Sequence, residues 1–282
     1  MAGSSNIKNF LTIDVEDYYH VSAFEHLIGH EKWDDYDSRV VDSTKAILDM
    51  LDQTGIKATF FVLGWIAERY PDLVRDIHGR GHEIGCHSYY HRLIYNISPE
   101  EFKNDTQRSK DVLEQITGEA VLGYRAPSYS ITDNTLWALD ILEDTGFKYD
   151  SSIFPIVHDR YGIPDAPRFM YKLPKNNLIE YPISTAVLSG IRFPVSGGGY
   201  FRLFPYNFTK WMLGNINRTE GQPFVFYIHP WEVDPLQPRI NGTGLISRFR
   251  HYVNLQKTLS RFRKLLLDFE FVPISGSNNI ND

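Results

Sequence analysis

The sequence predicts an α/β fold in which helices alternate with parallel strands of an open sheet or a barrel. In the first half of the chain, an amphipathic run is followed by a glycine and then by a short run of β-forming residues, and this order occurs four times. The runs are 40–54, 71–80, 98–117 and 132–145, followed by Gly55, Gly81, Gly118 and Gly146 and by strands at 58–62, 83–86, 120–124 and 147–149. Glycine accepts the left-handed backbone that ends a helix, so each glycine marks a helix that leads into a strand. Strands separated by such helices pair in parallel through right-handed crossovers.

The size and composition of the chain predict one large domain. A chain of 282 residues, 42% of them hydrophobic, can bury about 75% of the surface that its unfolded form exposes, without the help of disulfides. The net charge of −6 offers no basic surface to a phosphate backbone, so nucleic acid is not an expected partner. The single cysteine, Cys86, excludes an internal disulfide and is typical of a reducing compartment.

The apolar runs of the sequence predict a cytoplasmic location. The N-terminal stretch has no apolar segment long enough for a signal peptide, and no run approaches the ~18 apolar residues of a transmembrane helix. Membrane contact is therefore expected only at the periphery.

The second half of the chain has a less regular pattern. Residues 152–205 are rich in proline, glycine and aromatic residues, which predicts loops with short strands. Beyond them we expect a helix at 206–216, a strand at 224–228, a long basic amphipathic helix at 245–269 and a strand at 271–274. The apolar positions of the long helix favour packing on the core with the basic face in solvent. Association with a membrane or a lipid-linked sugar is the alternative.

Ionisable residues follow the predicted strands at their carboxyl ends. The first strand is apolar until it reaches Asp14, Glu16 and Asp17, and strand alternation puts Asp14 and Glu16 on one face. The strand at 83–86 is followed by His87 and His91. Because the carboxyl ends of parallel strands share one edge of an α/β fold, we expect these side chains to converge. Two imidazoles and one carboxylate form a ligand set for a divalent metal that leaves positions for water and substrate.

Three more strands end in polar groups. Arg125 follows the fourth strand, Asp150 follows the fifth, and His229 ends the strand near the C-terminus. Taken alone, each has an ordinary structural explanation: Arg125 as part of a surface ion pair, Asp150 as a turn former and His229 as a histidine before a proline. Five strand ends that all finish in ionisable groups favour a metal-assisted hydrolytic site.

These segments resemble the five ordered motifs of carbohydrate esterase family 4, the NodB-type polysaccharide deacetylases. The resemblance rests on Asp14 with the acids after it, on 87–91, on 125–129, and on Asp150 and 228–229, and it spans about 9–231. It implies a distorted (β/α) barrel of the NodB homology type, a single domain over 9–275 and a subgroup-specific segment around 152–282. Within the family, the first motif and residues 197–202 are similar to those of the subgroup found in exopolysaccharide loci associated with PEP-CTERM sorting.

The resemblance also implies roles for individual residues. His87, His91 and Glu16 or Asp17 would hold a divalent ion, most simply Zn²⁺, with Co²⁺, Ni²⁺ and Fe²⁺ as alternatives. Asp14 would be the general base and His229 the general acid that protonates the departing amine. Arg125 would orient Asp14, and Asp150 would pair with His229. Trp231 would form a wall of the acetyl pocket, and backbone amides after Pro127 would help to stabilise the oxyanion.

The sequence departs from the family pattern at two positions. Val15 occupies the place of the second aspartate of the usual first motif, so the ligand must come from Glu16 or Asp17, and strand parity favours Glu16. Ser128 follows Pro127 and displaces Tyr129 by one residue, which leaves the role of Tyr129 in the substrate groove open.

Other residues and functions compete with this interpretation. Cys86 beside His87 is an alternative nucleophile, but strand alternation directs the two to opposite faces, so a buried thiol is expected. In the aromatic stretch after the triple glycine, Tyr200 and Arg202 are candidate substrate contacts, whereas helical spacing assigns Phe208 and Trp211 to packing. The leading function is removal of N-acetyl groups from an amino-sugar glycan of exopolysaccharide biosynthesis. The alternatives are an allantoinase-like hydrolase of a small nitrogenous amide and an inactive carbohydrate-binding module.

Overall fold

A curled, largely parallel sheet of nine strands forms the centre of the computed structural model, which describes residues 7–158 and 160–277. The strands are β1 (Lys8–Val15), β2 (Thr59–Val62), β3 (Glu83–Cys86), β4 (Gly123–Tyr124), β5 (Tyr149–Asp150), β6 (Tyr171–Lys172), β7 (Ile179–Glu180), β10 (Val225–Ile228) and β11 (Glu270–Val272), and β8 (Thr185–Leu188) and β9 (Ile191–Pro194) form a separate hairpin. The order across the sheet is β10-β1-β2-β3-β4-β5-β7-β6, with β11 also paired to β1. All strand pairs of this nine-stranded sheet are parallel except β6 with β7. The predicted α/β class is confirmed, in the form of a half-barrel.

Helices connect the parallel strands as the glycine pattern predicts. They are α1 (Val40–Thr54), α2 (Gly64–Arg69), α3 (Pro71–Gly79), α4 (Pro99–Thr117), α5 (Trp137–Asp144), α6 (Gly198–Leu203), α7 (Tyr206–Glu220), α8 (Leu245–Tyr252) and α9 (Leu255–Asp268). Gly55 and Gly118 end α1 and α4 with φ of 68° and 74°, the left-handed values that glycine tolerates best. Ser98 begins α4 with a reciprocal capping box to Glu101. Within the described residues, no helix is both long and apolar enough to span a bilayer.

The two halves of the chain share the central sheet. Strand β1 is flanked on one side by β2 and on the other by β10 and β11, which come from the second half of the sequence. Nearly all of β1 and the whole of β2 and β10 are buried, as in parallel sheets that are covered on both faces. The carboxyl ends of strands from both halves therefore meet at one edge.

The predicted single helix over 245–269 is wrong, because the chain breaks between α8 and α9. Val253 is extended and Asn254 adopts the left-handed conformation with φ of 54°, while its Nδ2 donates to the Arg202 carbonyl 2.9 Å away. Asparagine is one of the few residues that accept this backbone at low cost. Helix α9 packs on the core as expected, with Phe262, Leu265 and Leu266 buried, whereas α8 buries only His251.

The region at 152–205 contains the short strands that its composition predicts and also helix α6, which the sequence pattern did not indicate. This helix lies close to β10, because Gly197 and Gly198 leave room for it. A Cβ atom on Gly197 would lie 2.0 Å from the Tyr227 carbonyl oxygen, and the φ of 143° is itself one that L residues rarely adopt. The assignment of Trp211 to packing is wrong, since its side chain is 43% exposed, while Phe208 packs partly buried against the core.

Candidate active site

Glu16, His87 and His91 form a buried cluster at the carboxyl edge of the sheet. One ligand atom from each lies within 4.8 Å of the others. The nearest Glu16 oxygen, Oε1, is 3.7 Å from His87 Nε2 and 3.4 Å from His91 Nε2. Burial raises the pKa of Glu16, but His91 and His229 lower it more, so the pKa lies well below its ordinary value. The carboxylate is therefore ionised and faces two imidazoles, the donor set that Zn²⁺ and related ions prefer.

Among the residues that the structure describes, the two histidines of the cluster have ring nitrogens without a hydrogen-bond partner. His87 donates its Nδ1 hydrogen to the Arg125 carbonyl at 2.7 Å, which fixes the tautomer and leaves the Nε2 lone pair facing Glu16. His87 Nε2 and both ring nitrogens of His91 are buried and lack a hydrogen-bond partner. Buried polar atoms without partners are costly, and the two Nε2 atoms, which both face Glu16 Oε1, fit a cation bound between the rings and the carboxylate.

Asp17 does not belong to this cluster, and its prediction as an alternative ligand is corrected here. Its Oδ2 accepts hydrogen bonds from the Ser38 hydroxyl at 2.7 Å and from the backbone amides of Arg39 and Val40 at 2.8 and 3.1 Å. These groups lie at the start of α1, where the first amides of a helix need acceptors. Asp17 is directed away from the cluster, whereas Glu16, which strand parity favours, lies in it.

Asp14 and Arg125 form a buried ion pair next to the cluster. Arg125 Nη1 is 2.7 Å from Asp14 Oδ1 and 2.6 Å from the Thr12 hydroxyl. The rest of the guanidinium is fixed by Ser151, whose carbonyl and hydroxyl accept at 3.0 and 2.7 Å. Every side of Arg125 is thus held, and it orients one oxygen of Asp14 while the other, Oδ2, faces His229 at 3.8 Å.

His229 lies between the acidic residues of β1 and a second carboxylate, Glu232. Its Nε2 is 3.2 Å from Glu16 Oε1, and its Nδ1 donates to Glu232 Oε1 at 2.6 Å. Burial lowers the pKa of His229, but Glu16 and Glu232 raise it further, to about 10. The imidazole is therefore held in a protonated form that can give up a proton from Nε2.

The predicted pairing of Asp150 with His229 is wrong. Asp150 Oδ1 accepts from the Ser152 hydroxyl at 2.5 Å, and Asp150 is the neighbour of Glu180 in the β5–β7 register. Burial raises the pKa of Asp150 to about 6 and that of Glu180 well above its ordinary value, so the pair retains a proton near neutral pH. Glu232 takes the position beside His229 that Asp150 was expected to occupy.

Arg202 is not a substrate contact as predicted, because it is buried against Glu232. Its Nε donates to Glu232 Oε2 at 2.6 Å, and its Nη1 donates to the His251 carbonyl at 2.5 Å. Burial raises the pKa of Glu232, but Arg202 and His229 lower it further, to below its ordinary value. The contacts from Arg202 to Glu232 and from Glu232 to His229 fix the imidazole at its Nδ1 side.

Aromatic rings line the other side of His229. Trp231 is buried and its ring stacks on His229 at 5.3 Å, in agreement with a wall position. Tyr129 is buried, its hydroxyl lacks a hydrogen-bond partner, and its ring packs on Tyr227 at 5.1 Å. Tyr200 is half-buried and stacks on Phe204 at 6.2 Å. Tyr227, which no motif indicated, is the ring that joins Tyr129 to His229, since it lies 5.6 Å from the latter.

Two further expectations are decided by hydrogen bonds and burial. Of the amides after Pro127, those of Tyr129 and Ser130 donate to the Ala126 and Pro127 carbonyls at 3.1 Å each, so these two are already occupied within the turn. Cys86 is buried, as expected, and burial raises the pKa of its thiol to about 12, which disfavours the thiolate form that a nucleophile needs.

Sequence reasoning missed Glu232 and assigned Arg202 to a substrate contact instead of a contact with Glu232. The signal for Glu232 was the stretch 229–232, in which a glutamate three residues after a histidine, with a proline between them, is typical of a capped helical turn. The structure contains this turn, in which Glu232 Oε1 also accepts the His229 amide at 3.1 Å. Arg202 carried no such signal, because its partner is distant in sequence.

Comparisons with known proteins agree with this architecture. Residues 32–149 match the family model described as polysaccharide deacetylase, and residues 151–278 match one described as a domain of unknown function, DUF3473. The chain is 37% identical over 101 residues to a peptidoglycan-N-acetylglucosamine deacetylase of Bacillus cereus, a match that covers 36% of this chain and 37% of that protein. It is 34% identical over 104 residues to chitin deacetylase 1 of Saccharomyces cerevisiae, covering 37% and 33% of the two chains. The match thus spans about a third of each relative.

Two solved structures share the fold. A polysaccharide deacetylase structure from Mycobacterium smegmatis superposes with a TM-score of 0.61 at 19% identity, covering 98% of this chain and 90% of the other. The structure of peptidoglycan deacetylase PdaC from Bacillus subtilis gives a TM-score of 0.50 at 15% identity, covering 99% and 94%. At these identities the likeness concerns the fold alone.

Proposed function

The chain contains a polysaccharide deacetylase domain of the NodB type, carbohydrate esterase family 4, and we propose that it hydrolyses N-acetyl groups of an amino-sugar-containing glycan with the help of a divalent metal ion. The observation that carries this proposal is the buried Glu16–His87–His91 cluster, beside an oriented Asp14 and a protonated His229. Hydrolysis of an amide needs a base, an acid and a means to stabilise negative charge on oxygen, and each has a candidate in this site.

Glu16, His87 and His91 would hold the metal ion. A divalent ion bound there lowers the pKa of a water molecule toward 7 and draws charge from the amide oxygen. Two imidazoles and one carboxylate suit Zn²⁺ first, and Co²⁺, Ni²⁺ or Fe²⁺ as alternatives. The Arg125 carbonyl supports this assignment for His87, because it receives the Nδ1 hydrogen and leaves Nε2 as the ligand atom.

Asp14 would act as the general base. Its Oδ1 is bound by Arg125 Nη1, so the guanidinium fixes the orientation of the carboxylate. Its second oxygen remains available to accept a proton from the attacking water. Arg125 is then a positioning residue, since its own nitrogens are all directed to Asp14, Thr12 and Ser151.

His229 would act as the general acid. An amine leaves poorly as an anion, so the nitrogen of the scissile bond needs a proton as the bond breaks. Glu232 binds Nδ1 and thereby turns Nε2 toward Asp14 and Glu16, where the substrate would be attacked. Arg202 holds Glu232 in turn, so the segment from 151 to 278 contributes the acid half of the site.

The substrate would be an N-acetylated glycan, and exopolysaccharide is the specific class that we propose. Trp231 and Tyr129 are candidate walls for the acetyl group, and the half-buried Tyr200 is a candidate sugar contact. We also propose that 9–275 form one domain, because strands from both halves of the chain flank β1 in a single sheet. The cytoplasmic location and the PEP-CTERM subgroup stay predictions.

Release of acetate or amine from defined substrates tests this function. The purified chain would be incubated with N-acetylated oligosaccharides and with cyclic ureides, with and without a chelator and with Asp14→Asn as the inactive control. We expect acetate from the oligosaccharides alone, lost with the chelator and restored by Zn²⁺. Ring opening of the ureides alone, detected as a new carboxylate, would support the allantoinase-like alternative, and glycan binding without any hydrolysis would support an inactive module.

A further inference from the structure

Helix α8 presents an apolar face to solvent. His251 is the one residue of α8 that is buried, whereas Leu245, Ile246 and Phe249 are 85%, 69% and 58% exposed. Leu236, in the loop before the helix, is 81% exposed. Large apolar side chains gathered at one surface indicate a binding partner more often than scattered ones do.

Exposed arginines lie among these apolar side chains. Arg239, Arg248 and Arg250 are exposed, and within 7–158 and 160–277 none of the three forms an ion pair with a carboxylate. We call these three arginines and the four apolar residues Leu236, Leu245, Ile246 and Phe249 the α8 face.

The sequence around the α8 face has an unusual charge. Residues 235–267 contain seven lysines and arginines and no aspartate or glutamate, in a chain with 29 basic and 35 acidic residues. The remaining residues therefore have 22 basic groups against all 35 acidic ones. A basic segment is complementary to an anionic surface, whereas two copies that met through the same basic segment would bring like charges together.

We propose that the α8 face binds the surface of a membrane that contains anionic lipids. A short helix of this kind lies in the interfacial plane, with apolar side chains at the boundary of headgroups and acyl chains and arginines at the phosphates. A groove of about 340 Å³, lined by Arg239, Leu245, Arg248, Phe249, Tyr252 and Val253, crosses this face and offers both kinds of contact.

The α8 face is joined to the candidate active site by stacked rings. His251, in the last turn of α8, stacks on Trp231 with ring centroids 4.3 Å apart, and Trp231 stacks on His229. Docking through α8 would therefore hold the site close to the membrane surface, where a lipid-linked glycan is presented. This consequence rests on the proposed function, whereas the docking itself does not.

Co-sedimentation with vesicles tests the docking without any measurement of activity. The full chain would be mixed with phosphatidylcholine vesicles that either contain or lack phosphatidylglycerol. We expect binding to the vesicles with phosphatidylglycerol alone, weakened as salt is added. The R248Q/R250Q variant should lower the partition coefficient about 25-fold, since each arginine contributes about fivefold. The L245S/I246S/F249S variant should abolish binding.

Matched controls separate this face from other exposed groups. Leu267→Ser removes an exposed leucine of α9, and K172Q/K175Q removes two exposed cations far along the sequence, so both variants should bind as the unmodified chain does. All the altered side chains are exposed, and circular dichroism would verify that each variant folds. Acetate release from a short soluble glycan should be unchanged in the α8 variants.

Three results would overturn the proposal. These are equal binding to both kinds of vesicle, unchanged binding by the L245S/I246S/F249S variant, and a dimer in sedimentation velocity that this variant converts to a monomer. The last result would assign the α8 face to a second copy of the chain. A failure of the glycan assay with intact vesicle binding would instead count against the proposed function alone.

Discussion

Replacement of Glu232 by glutamine tests the contribution of the proposed general acid, His229, separately from that of the metal cluster. The carboxylate is buried between His229 Nδ1 and Arg202 Nε, each 2.6 Å from one of its oxygens. Glutamine has the same size but no charge, and its amide nitrogen would face the Arg202 or the His229 donor. Removal of one partner from a buried ion pair costs about 3–5 kcal/mol of folding free energy, because the other charge stays buried and unpaired.

The effect of Glu232→Gln on turnover should depend on the leaving group. A positioned general acid contributes about 10²–10⁴-fold, so we expect kcat for an N-acetylated oligosaccharide to fall by at least about 100-fold. An activated aryl acetate expels a stable phenolate without a proton, so its hydrolysis should fall by no more than about threefold. The assay is the ratio of amide to aryl-ester turnover, measured on the same preparation.

Two further variants distinguish positioning from stability. The R202M/E232Q double variant removes both buried charges and should recover most of the lost stability while the amide rate stays low. Asp150→Asn should leave the ratio of amide to ester turnover unchanged, because Asp150 binds Ser152 and not His229. Equal losses for amide and ester in a folded Glu232→Gln variant, or a normal amide rate, would refute a role for Glu232 in proton donation.

Three other predictions follow from burial and contacts. Glu16→Gln should lower the metal content measured by mass spectrometry. Asp17→Asn should retain metal but lose about 1 kcal/mol of stability, because it weakens a helix cap. Metal loss in Asp17→Asn alone would identify Asp17 as the ligand instead of Glu16. Because the pKa values of Asp150 and Glu180 are raised, the folded state binds more protons than the unfolded one above about pH 4, so the free energy of unfolding should fall as pH rises through 6 and beyond. Urea titrations of Glu180→Gln should show a flatter dependence, and an unchanged slope would contradict the buried pair. Cys86→Ser should keep full turnover, and a loss of turnover in this variant would support the Cys86 thiol as a nucleophile.

The features that the sequence predicts well are those encoded locally. Gly55 and Gly118 mark helix ends because only the backbone next to them matters, and alternation along β1 separates Glu16 from Asp17 for the same reason. The convergence of Asp14, His87 and Arg125 follows from a general property of parallel sheets, whose carboxyl ends meet at one edge.

The features that the sequence does not predict depend on contacts between distant segments. Asp150 and Glu232 are both acids close to a strand end, and the choice of partner for His229 depends on the turn at 229–232 and on the position of Arg202. The break at Asn254 likewise accompanies its hydrogen bond to the Arg202 carbonyl. Periodicity alone continued the helix through that residue and placed Phe249 in the core, although it is exposed.

Strands β1 and β11 bring both ends of the described chain to the same side of the sheet. Lys8 is paired with Glu270, and the Ser275 amide donates to Glu83 at the start of β3, whereas Asp14 lies at the other end of β1, about 20 Å away. Coupling to a resin at Lys8 or at Ser275 would consequently place the resin on the side of the sheet opposite Asp14 and the candidate active site.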